Sequence, residues 1–448
     1  MTKVALINPG LRKILGTKKL SSIGEVAKAP LGLGFLASYL EKNGIEVFIV
    51  DEMAGDNVEN KLKNINPDLI GLTSMTMFVP EAYRIAKWVK NNFDVPLIMG
   101  GVHATALPEE VIKHVDTVVV GEAEKVLLEM AKNPSKIKKG IIQGQTIENI
   151  DEIGMPARHL MNMKFYLSQK DQIAGIEMKA ESIITSRGCP YRCIFCRNSL
   201  RPEPVRFNSV DHVINEIKYL KEKYGIEGLA FTDECFTANK PRLIEICKRM
   251  IKDKIEIKWE CQTRSNLIDL DLVKLMKEAG CIQIGIGFES GSDRILKVLN
   301  KGNTVEQNTK AIKICKEAGM RLRGCFMIGN PTETKEDINL TKKFIEENNI
   351  DFCGVFLTTP YPGTELWNYA LRNNLIPKDL DWSKFTTGSE VIPFANNIIT
   401  VEELKRIHNE INMKCNLRNY SFSHLIKRAI KHPATATGIL IKYIKGKL

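Results

Sequence analysis

Three cysteines spaced Cys189-x3-Cys193-x2-Cys196, in the run Ser186-Arg-Gly-Cys-Pro-Tyr-Arg-Cys-Ile-Phe-Cys, are the residues of this chain best suited to chemistry. Three thiolates at this spacing can hold three irons of a [4Fe-4S] cluster and leave the fourth without a protein ligand. An iron left open in this way can bind and activate a small molecule. A structural zinc site would need four closed ligands, and no second Cys pair or Cys/His pair follows at a matching spacing. Further polar or glycine-rich segments recur downstream: Asp233-Glu234, Thr263-Arg264-Ser265, Glu289-Ser290, Gly324 with Gly329 and Glu333, and Tyr361-Pro-Gly-Thr364. Taken singly, each reads as a turn or a helix cap. Their common placement is what makes them a set.

That placement comes from the elements around them. Strands are expected near Ile183–Ser186, Gly228–Thr232, Lys258–Gln262, Gln283–Phe288, Arg321–Ile328 and Phe352–Leu357, with helical stretches such as Asp211–Lys223, Arg242–Lys252 and Val305–Ala318 between them. Six such β/α units predict a partial (β/α)6 barrel resembling a TIM barrel, and the polar segments fall at the carboxyl ends of its strands, where such a barrel builds its site. The first 124 residues alternate in the same manner, with strands expected at Lys3–Ile7, Val47–Asp51, Leu69–Thr73, Leu97–Gly100 and Thr117–Val120 and helices at Pro30–Asn43 and Pro80–Asn91. This predicts an α/β, Rossmann-like, doubly wound parallel sheet that binds ligands outside its carboxyl edge. The expected division is 1–135 for the sheet, 136–180 for a connector, 181–375 for the barrel and 376–448 for a helical, basic carboxyl-terminal region. Cys235, Cys261, Cys281 and Cys325 lie in or beside strands and read as small buried hydrophobes. Cys353 and Cys415 receive no assignment.

The cysteine spacing, and the five segments that follow it in order, resemble the radical S-adenosylmethionine superfamily over about Glu181 to Leu375. The resemblance implies a cluster on Cys189, Cys193 and Cys196 whose open iron chelates S-adenosylmethionine and whose electron cleaves it to a 5′-deoxyadenosyl radical. Residue by residue it implies Phe195 near the adenine, Asp233 and Glu234 facing the ammonium, and Arg264 on the carboxylate. It further implies Glu289 and Ser290 on the ribose, Gly324 and Gly329 beside the adenine, and Tyr361 closing the set. The first sheet lacks the G-x-G-x-x-G dinucleotide fingerprint and resembles the cobalamin (B12)-binding module that precedes many such enzymes. The matching segments hold Asn8 after the first strand, Thr73, Ser74 and Met75 after the third, Gly100, Gly101 and His103 after the fourth, and Gly121 and Glu122 after the fifth. Glycines and hydroxyls at these edges suit a long nucleotide tail. The D-x-H-x-x-G motif that supplies a cobalt-ligating histidine in other corrinoid proteins is absent. This leaves His103 as a substitute or as a backbone-bonded structural group. Together the two modules imply a cobalamin-dependent enzyme that methylates an unactivated carbon of a small-molecule or lipid-like substrate in a dry chamber between two cofactors. It would draw electrons from a low-potential donor of the ferredoxin or flavodoxin type. Oxidative cyclisation or ring rearrangement with the same cofactors is the first alternative. Methylthiolation of RNA lacks its second Cys triad, and a plain corrinoid carrier would leave the cysteine loop without purpose.

The composition limits the remaining classes. A chain of 448 residues with 44% apolar and 26% charged residues is globular, and no apolar run approaches the ~18 residues of a spanning helix. Residues 1–10 read as a strand and turn, not as an export signal. All eleven cysteines lie between Cys189 and Cys415, an odd set that suits a reducing cytoplasm. Of the net charge of +11, eight charges sit between Met413 and Leu448, where there is no acidic residue. The basic, apolar stretches Ser423–Lys431 and Gly438–Lys447 suit either peripheral contact with an anionic membrane surface or a solvated helix docked on the barrel. Few aromatics interleave the charges, so a nucleic-acid partner is not expected.

Overall fold

The structure is a computed structural model and describes residues 2–10, 27–169, 171–200, 204–377, 380–385 and 396–419. The stretches Ser423–Lys431 and Gly438–Lys447 lie outside these residues.

Six parallel strands form the first sheet: β1 (Lys3–Asn8), β2 (Glu46–Asp51), β3 (Leu69–Thr73), β4 (Leu97–Gly100), β5 (Thr117–Val120) and β6 (Gly140–Gln143). Their order is β2-β1-β3-β4-β5-β6. A sheet covered on both faces needs apolar side chains on both, which is why β1 reads as a continuous apolar run. Val4 and Leu6 join the core under the helix Leu31–Lys42, while Ala5 and Ile7 join the core under Val79–Asn92. The strand β6 falls within the expected connector. It is a four-residue edge strand, at most half-buried, and its short run Gly-Ile-Ile-Gln carries too little periodicity to announce itself.

The rest of the connector is ordered by specific bonds. Arg158, fully buried, pairs with Glu216 at 2.7 Å and donates to the Ser182 carbonyl at 2.9 Å. The strands β7 (Asp171–Ile173) and β8 (Ile176–Met178) form an antiparallel hairpin turned by Ala174 and Gly175, both at positive φ, as a two-residue turn demands. The hairpin lies across the amino-terminal end of the second sheet. A Cβ on Gly228 would come within 2.3 Å of the Met178 sulfur, and the Arg321 guanidinium donates to the Ala174 carbonyl.

The second sheet is parallel throughout, with β9 (Ala180–Ile183) and β16 (Phe352–Leu357) at its edges. Between them lie β12 (Gly228–Phe231), β13 (Lys258–Thr263), β14 (Cys281–Glu289) and β15 (Arg321–Ile328). Alternation along each strand separates two faces. Trp259, Cys261, Ile284, Ile286, Leu322 and Phe326 pack under the helices, whereas Glu260, Gln262, Gln283 and Arg323 share the inner face, where Gln283 donates to Glu260 at 2.6 Å. The first barrel strand ends at Ile183, earlier than expected. Ser186 and Arg187 instead form β10 (Ser186–Arg187), paired antiparallel with β11 (Arg206–Phe207), and the cysteine loop spans the residues between them. Capping boxes at Thr304/Gln307 and Thr334/Asp337 start the helices before β15 and β16.

After the barrel, Trp382 returns to the first sheet and donates its indole N–H to Glu110 at 2.9 Å. The helix Val401–Asn419 then packs against β16, with Asn412 bonding both backbone groups of Val355. Cys235, Cys261 and Cys281 are buried, and Cys325 is half-buried.

Candidate active site

The cysteine loop rises from the carboxyl end of β9 and is held at both ends and from above. Gly188, at φ +86°, turns the chain into it. At its base Asp233 accepts from the Thr185 amide at 3.1 Å, the Thr185 hydroxyl at 2.9 Å and the Ser186 hydroxyl. Further along, the Ile194 amide donates to Leu299, Asn300 donates to Arg192, and the Leu366 amide donates to Ile194, each at 2.8–3.1 Å. Bonds to three elements fix the loop's place at the strand ends.

The three thiols share one electrostatic neighbourhood. Cys193 is buried and accepts from the Arg264 guanidinium at 3.4 Å, and that guanidinium lies 3.7 Å from the Tyr191 ring centroid. Cys189 is pulled down to about 6, chiefly by a hydrogen bond from Cys235, while burial pushes Cys196 up. Among the described residues no three His, Cys, Asp or Glu side chains are arranged to hold a metal ion as they stand. The fit to a cluster therefore rests on the donor set, three thiols on one loop, and on the polar groups left open beside it. Arg264 Nε and Nη2, Asn198 Oδ1 and Asn303 Oδ1 are buried without a hydrogen-bond partner. Buried orphans of this kind cost free energy and mark places a ligand completes. These residues fit a cluster and a zwitterionic ligand.

Other expected site residues divide. Glu234 is exposed at the edge and accepts from Asn198 at 2.7 Å, open to an ammonium. Its neighbour Asp233 is not presented in the same way, because Thr185 and Ser186 claim one of its oxygens; burial raises its pKa against those bonds. Glu289 sits at φ +64° and pairs with Lys301 at 2.7 Å, and Lys301 lies 5.8 Å from the Phe195 ring centroid. Ser290 points away from the edge, its hydroxyl bonded to Thr341 at 3.2 Å and to the Ser292 amide at 3.1 Å. Gly324 leaves room for the Phe288 ring on the core side, where a Cβ would approach to 3.1 Å, so it opens no backbone to a ligand. Gly329 makes the turn at φ +82° and donates to Glu333 at 2.6 Å. Burial pushes Glu333 up to about 7 despite the bonds from Asn330 and Gly329. Tyr361 reaches the Phe385 carbonyl at 3.4 Å. Sequence reasoning missed Lys301, Asn198 and Asn303. The only signal for them was position, in loops that follow a strand end or join two helices.

The second cofactor's edge is built differently. The switch point of the first sheet lies between β1 and β3, where an open α/β sheet leaves its crevice. Asn8 donates to Asp51 at 2.8 Å. Gly101, at φ +92°, lets β4 pass so close that a Cβ would meet the Thr73 hydroxyl at 2.6 Å. The Ser74 carbonyl accepts from the His103 amide at 3.2 Å. Gly100 and Gly121, the latter at φ +90°, leave open floor, with Met75 and Val102 exposed beside it at 52% and 45%. Small residues, hydroxyls and exposed apolar groups fit a corrin with its nucleotide tail. The His103 ring is wholly buried, 3.6 Å from Glu110 and 5.1 Å from the Trp382 ring, so it is not presented at the edge. Glu122 is likewise not free for a ligand, since Arg206 and Arg187 hold it, and the Arg206 and Arg187 charges keep it below the usual carboxylate range against its burial.

Comparisons agree with this division of labour. Residues 27–131 match the B12 binding domain and residues 183–345 match the Radical SAM superfamily. An uncharacterised methyltransferase of Pyrococcus horikoshii is 34% identical, covering 96% of this chain and 97% of its own length. The anaerobic magnesium-protoporphyrin IX monomethyl ester cyclase of Rubrivivax gelatinosus is 27% identical over 75% of this chain, which spans 65% of that protein. In fold, the radical S-adenosylmethionine methyltransferase TsrM from Kitasatospora setae, solved with cobalamin and a [4Fe-4S] cluster, superposes with a TM-score of 0.66. Its identity is 19%, over 83% of this chain and 76% of its own.

Proposed function

This chain belongs to the radical S-adenosylmethionine enzymes that carry a B12 binding domain, and from that premise we propose that it methylates an unreactive carbon of a small organic substrate. The observation that carries the proposal is that two prepared edges adjoin, the loop after β5 being bonded through Glu122 and Glu124 to Arg206 and Arg187 on the two arms of the cysteine loop. The cysteine loop, with Arg264 and Glu234, closes one side, and the glycine-lined edge of the first sheet closes the other. Methyl transfer is preferred to cyclisation because the 34% identical relative matches nearly end to end and is named a methyltransferase, while the cyclase matches at 27% over part of the chain.

When bound, the cluster supplies an electron to the sulfonium and cobalamin supplies the methyl group. The protein's own share is placement and shielding. Cys189, Cys193 and Cys196 would hold the cluster, Glu234 the ligand's amine and Arg264 its carboxylate. Lys301 and Phe195 would border the adenosyl part. Tyr361, Trp367, Trp382 and Phe385 pack ring against ring beside His103 and keep water from the junction. The substrate would sit toward the inner face of the barrel. Arg323, on β15 beside the edge strand β16, is 37% exposed and 3.9 Å from Glu260, with a buried Nε that has no hydrogen-bond partner. A substrate bearing an anionic or hydrogen-bonding group fits this surface better than an unbroken hydrocarbon does. Electrons would come from a donor of the ferredoxin or flavodoxin type. Among the described residues no helix is long and apolar enough to cross a membrane.

The test is turnover with methyl-labelled S-adenosylmethionine after anaerobic reconstitution with iron, sulfide and hydroxocobalamin. Label in the product, with S-adenosylhomocysteine formed alongside, is the expected result. Deoxyadenosine with unlabelled product and no S-adenosylhomocysteine would overturn methyl transfer in favour of cyclisation.

A further inference from the structure

The loop after β5, Gly121-Glu122-Ala123-Glu124, does not spend its carboxylates on the sheet edge. Glu122 takes both terminal nitrogens of Arg206, with Nη1 at 3.0 Å, and Nη1 of Arg187 at 3.2 Å. Glu124 takes Nη2 of Arg187 at 2.6 Å. Arg206 also donates to the Ile147 carbonyl at 2.7 Å, and Arg187 lies 5.5 Å from the Phe35 ring centroid. All four side chains are largely buried, the most open being Arg187 at 18%. Arg187 and Arg206 are themselves partners across the β10–β11 ladder, one on each arm of the loop that bears the cysteines, and Arg187 stands two residues before Cys189. The loop they grip begins at Gly121, whose amide donates to Thr105 at 3.0 Å on the expected corrin floor.

Two buried carboxylates thus fasten the edge of one cofactor site to both arms of the other. Charge-assisted pairs of this kind, with forked Arg geometry, fix orientation as well as distance. Neither side can shift without breaking bonds that leave a buried charge unpaired, which costs several kcal/mol. We propose that the Glu122/Glu124–Arg187/Arg206 clasp couples the two sites, with Arg187 as the positioning residue that sets the cysteine loop against the bound corrin. By linkage, whatever the cluster does to corrin affinity, the corrin does in equal measure to cluster affinity. The inference rests on the family reading above for the identity of the two cofactors.

The experiment measures hydroxocobalamin affinity of the full chain by absorbance, with and without reconstituted cluster. For the natural protein the cluster should tighten corrin binding about tenfold, within the usual range of coupling between sites. Arg187→Gln should bring that ratio close to one while the circular dichroism stays native. Glu124→Gln attacks the clasp from the other side and should do the same, and Arg187→Lys should restore part of the ratio. The reciprocal readout is the fraction of iron a competing chelator removes at equilibrium, which bound corrin should lower in the natural protein and not in Arg187→Gln. A natural ratio of one, or a ratio that survives in both neutral variants, overturns the clasp with the function left standing. Failure to retain either cofactor overturns the function and the clasp together.

Discussion

The two edges that adjoin in this protein solve opposite problems. The barrel edge is dense with directed polar groups: Arg264 on Cys193, Asn198 on Glu234, Lys301 on Glu289, with several buried nitrogens and oxygens waiting for partners. The sheet edge is defined by what is missing, with glycines at positive φ, open floor and two exposed apolar side chains. A small, charged ligand that must present one bond in one direction needs oriented donors. A large, flat one with a long nucleotide tail needs room and a surface to lie on. The contrast also explains why polar substitutions and size substitutions should act on different edges.

The sharpest way to break the comparison is at the cysteine loop. Cys193→Ala should lower bound iron from about four per chain to near zero while corrin absorbance persists at reduced affinity, as read by iron and sulfide analysis beside the visible spectrum. If the corrin is lost completely as well, the two edges are not separable. Next comes size on the opposite edge. Gly101→Val places a branched side chain at φ +92° against Thr73 and should cut hydroxocobalamin affinity more than about tenfold, a cost of at least ~1.4 kcal/mol, with iron content unchanged. Removing a charge from the barrel edge is gentler. Lys301→Met strands Glu289 and should weaken S-adenosylmethionine binding by about tenfold in equilibrium dialysis, or ~1.4 kcal/mol. A fourth test concerns pH. Glu333, unfolded, ionises near its ordinary value, but folded it stays protonated up to about 7. The folded state thus binds the extra proton, and stability should fall as pH rises from about 4.5 to about 7 and level off above. Glu333→Gln should flatten that slope in thermal unfolding. The smallest effect on cofactors belongs to His103→Ala. With the ring buried against Glu110 and Trp382, the variant leaves a cavity and should lose about 0.5–3 kcal/mol of stability with the bound corrin spectrum unchanged.

Period and punctuation made the two sheets legible, because β-branched runs followed by amphipathic helices have few other ways to fold. The cysteine loop was legible from spacing alone. Side-chain direction in the loops was not. Asp233 and Glu234 are adjacent and alike, yet one is turned inward by donors 48 and 47 residues away in sequence while the other stays open. Ser290 and Gly324 matched a pattern by type, and packing against Thr341 and Phe288 decided their use. Glu122 was expected at the cofactor edge from the resemblance of its loop to a cobalamin-binding module, and only the fold could bring Arg187 and Arg206 to it. The strand β6 escaped notice because Gly-Ile-Ile-Gln is a half-buried edge run where β5, of the same length, is a buried Thr-Val-Val-Val, and the β7–β8 hairpin because its three-residue arms are fixed by their pairing.

The hairpin across the foot of the second sheet has a bearing on traffic. Met178 packs over the start of β12 and Ala174 over the start of β15, so a substrate entering at the opposite, carboxyl-terminal end of the strands would pass the edge of the first sheet on its way. A visitor that must pass a corrin to reach the adenosyl ligand implies a queue. The ligand nearest the cysteines would then load first and leave last.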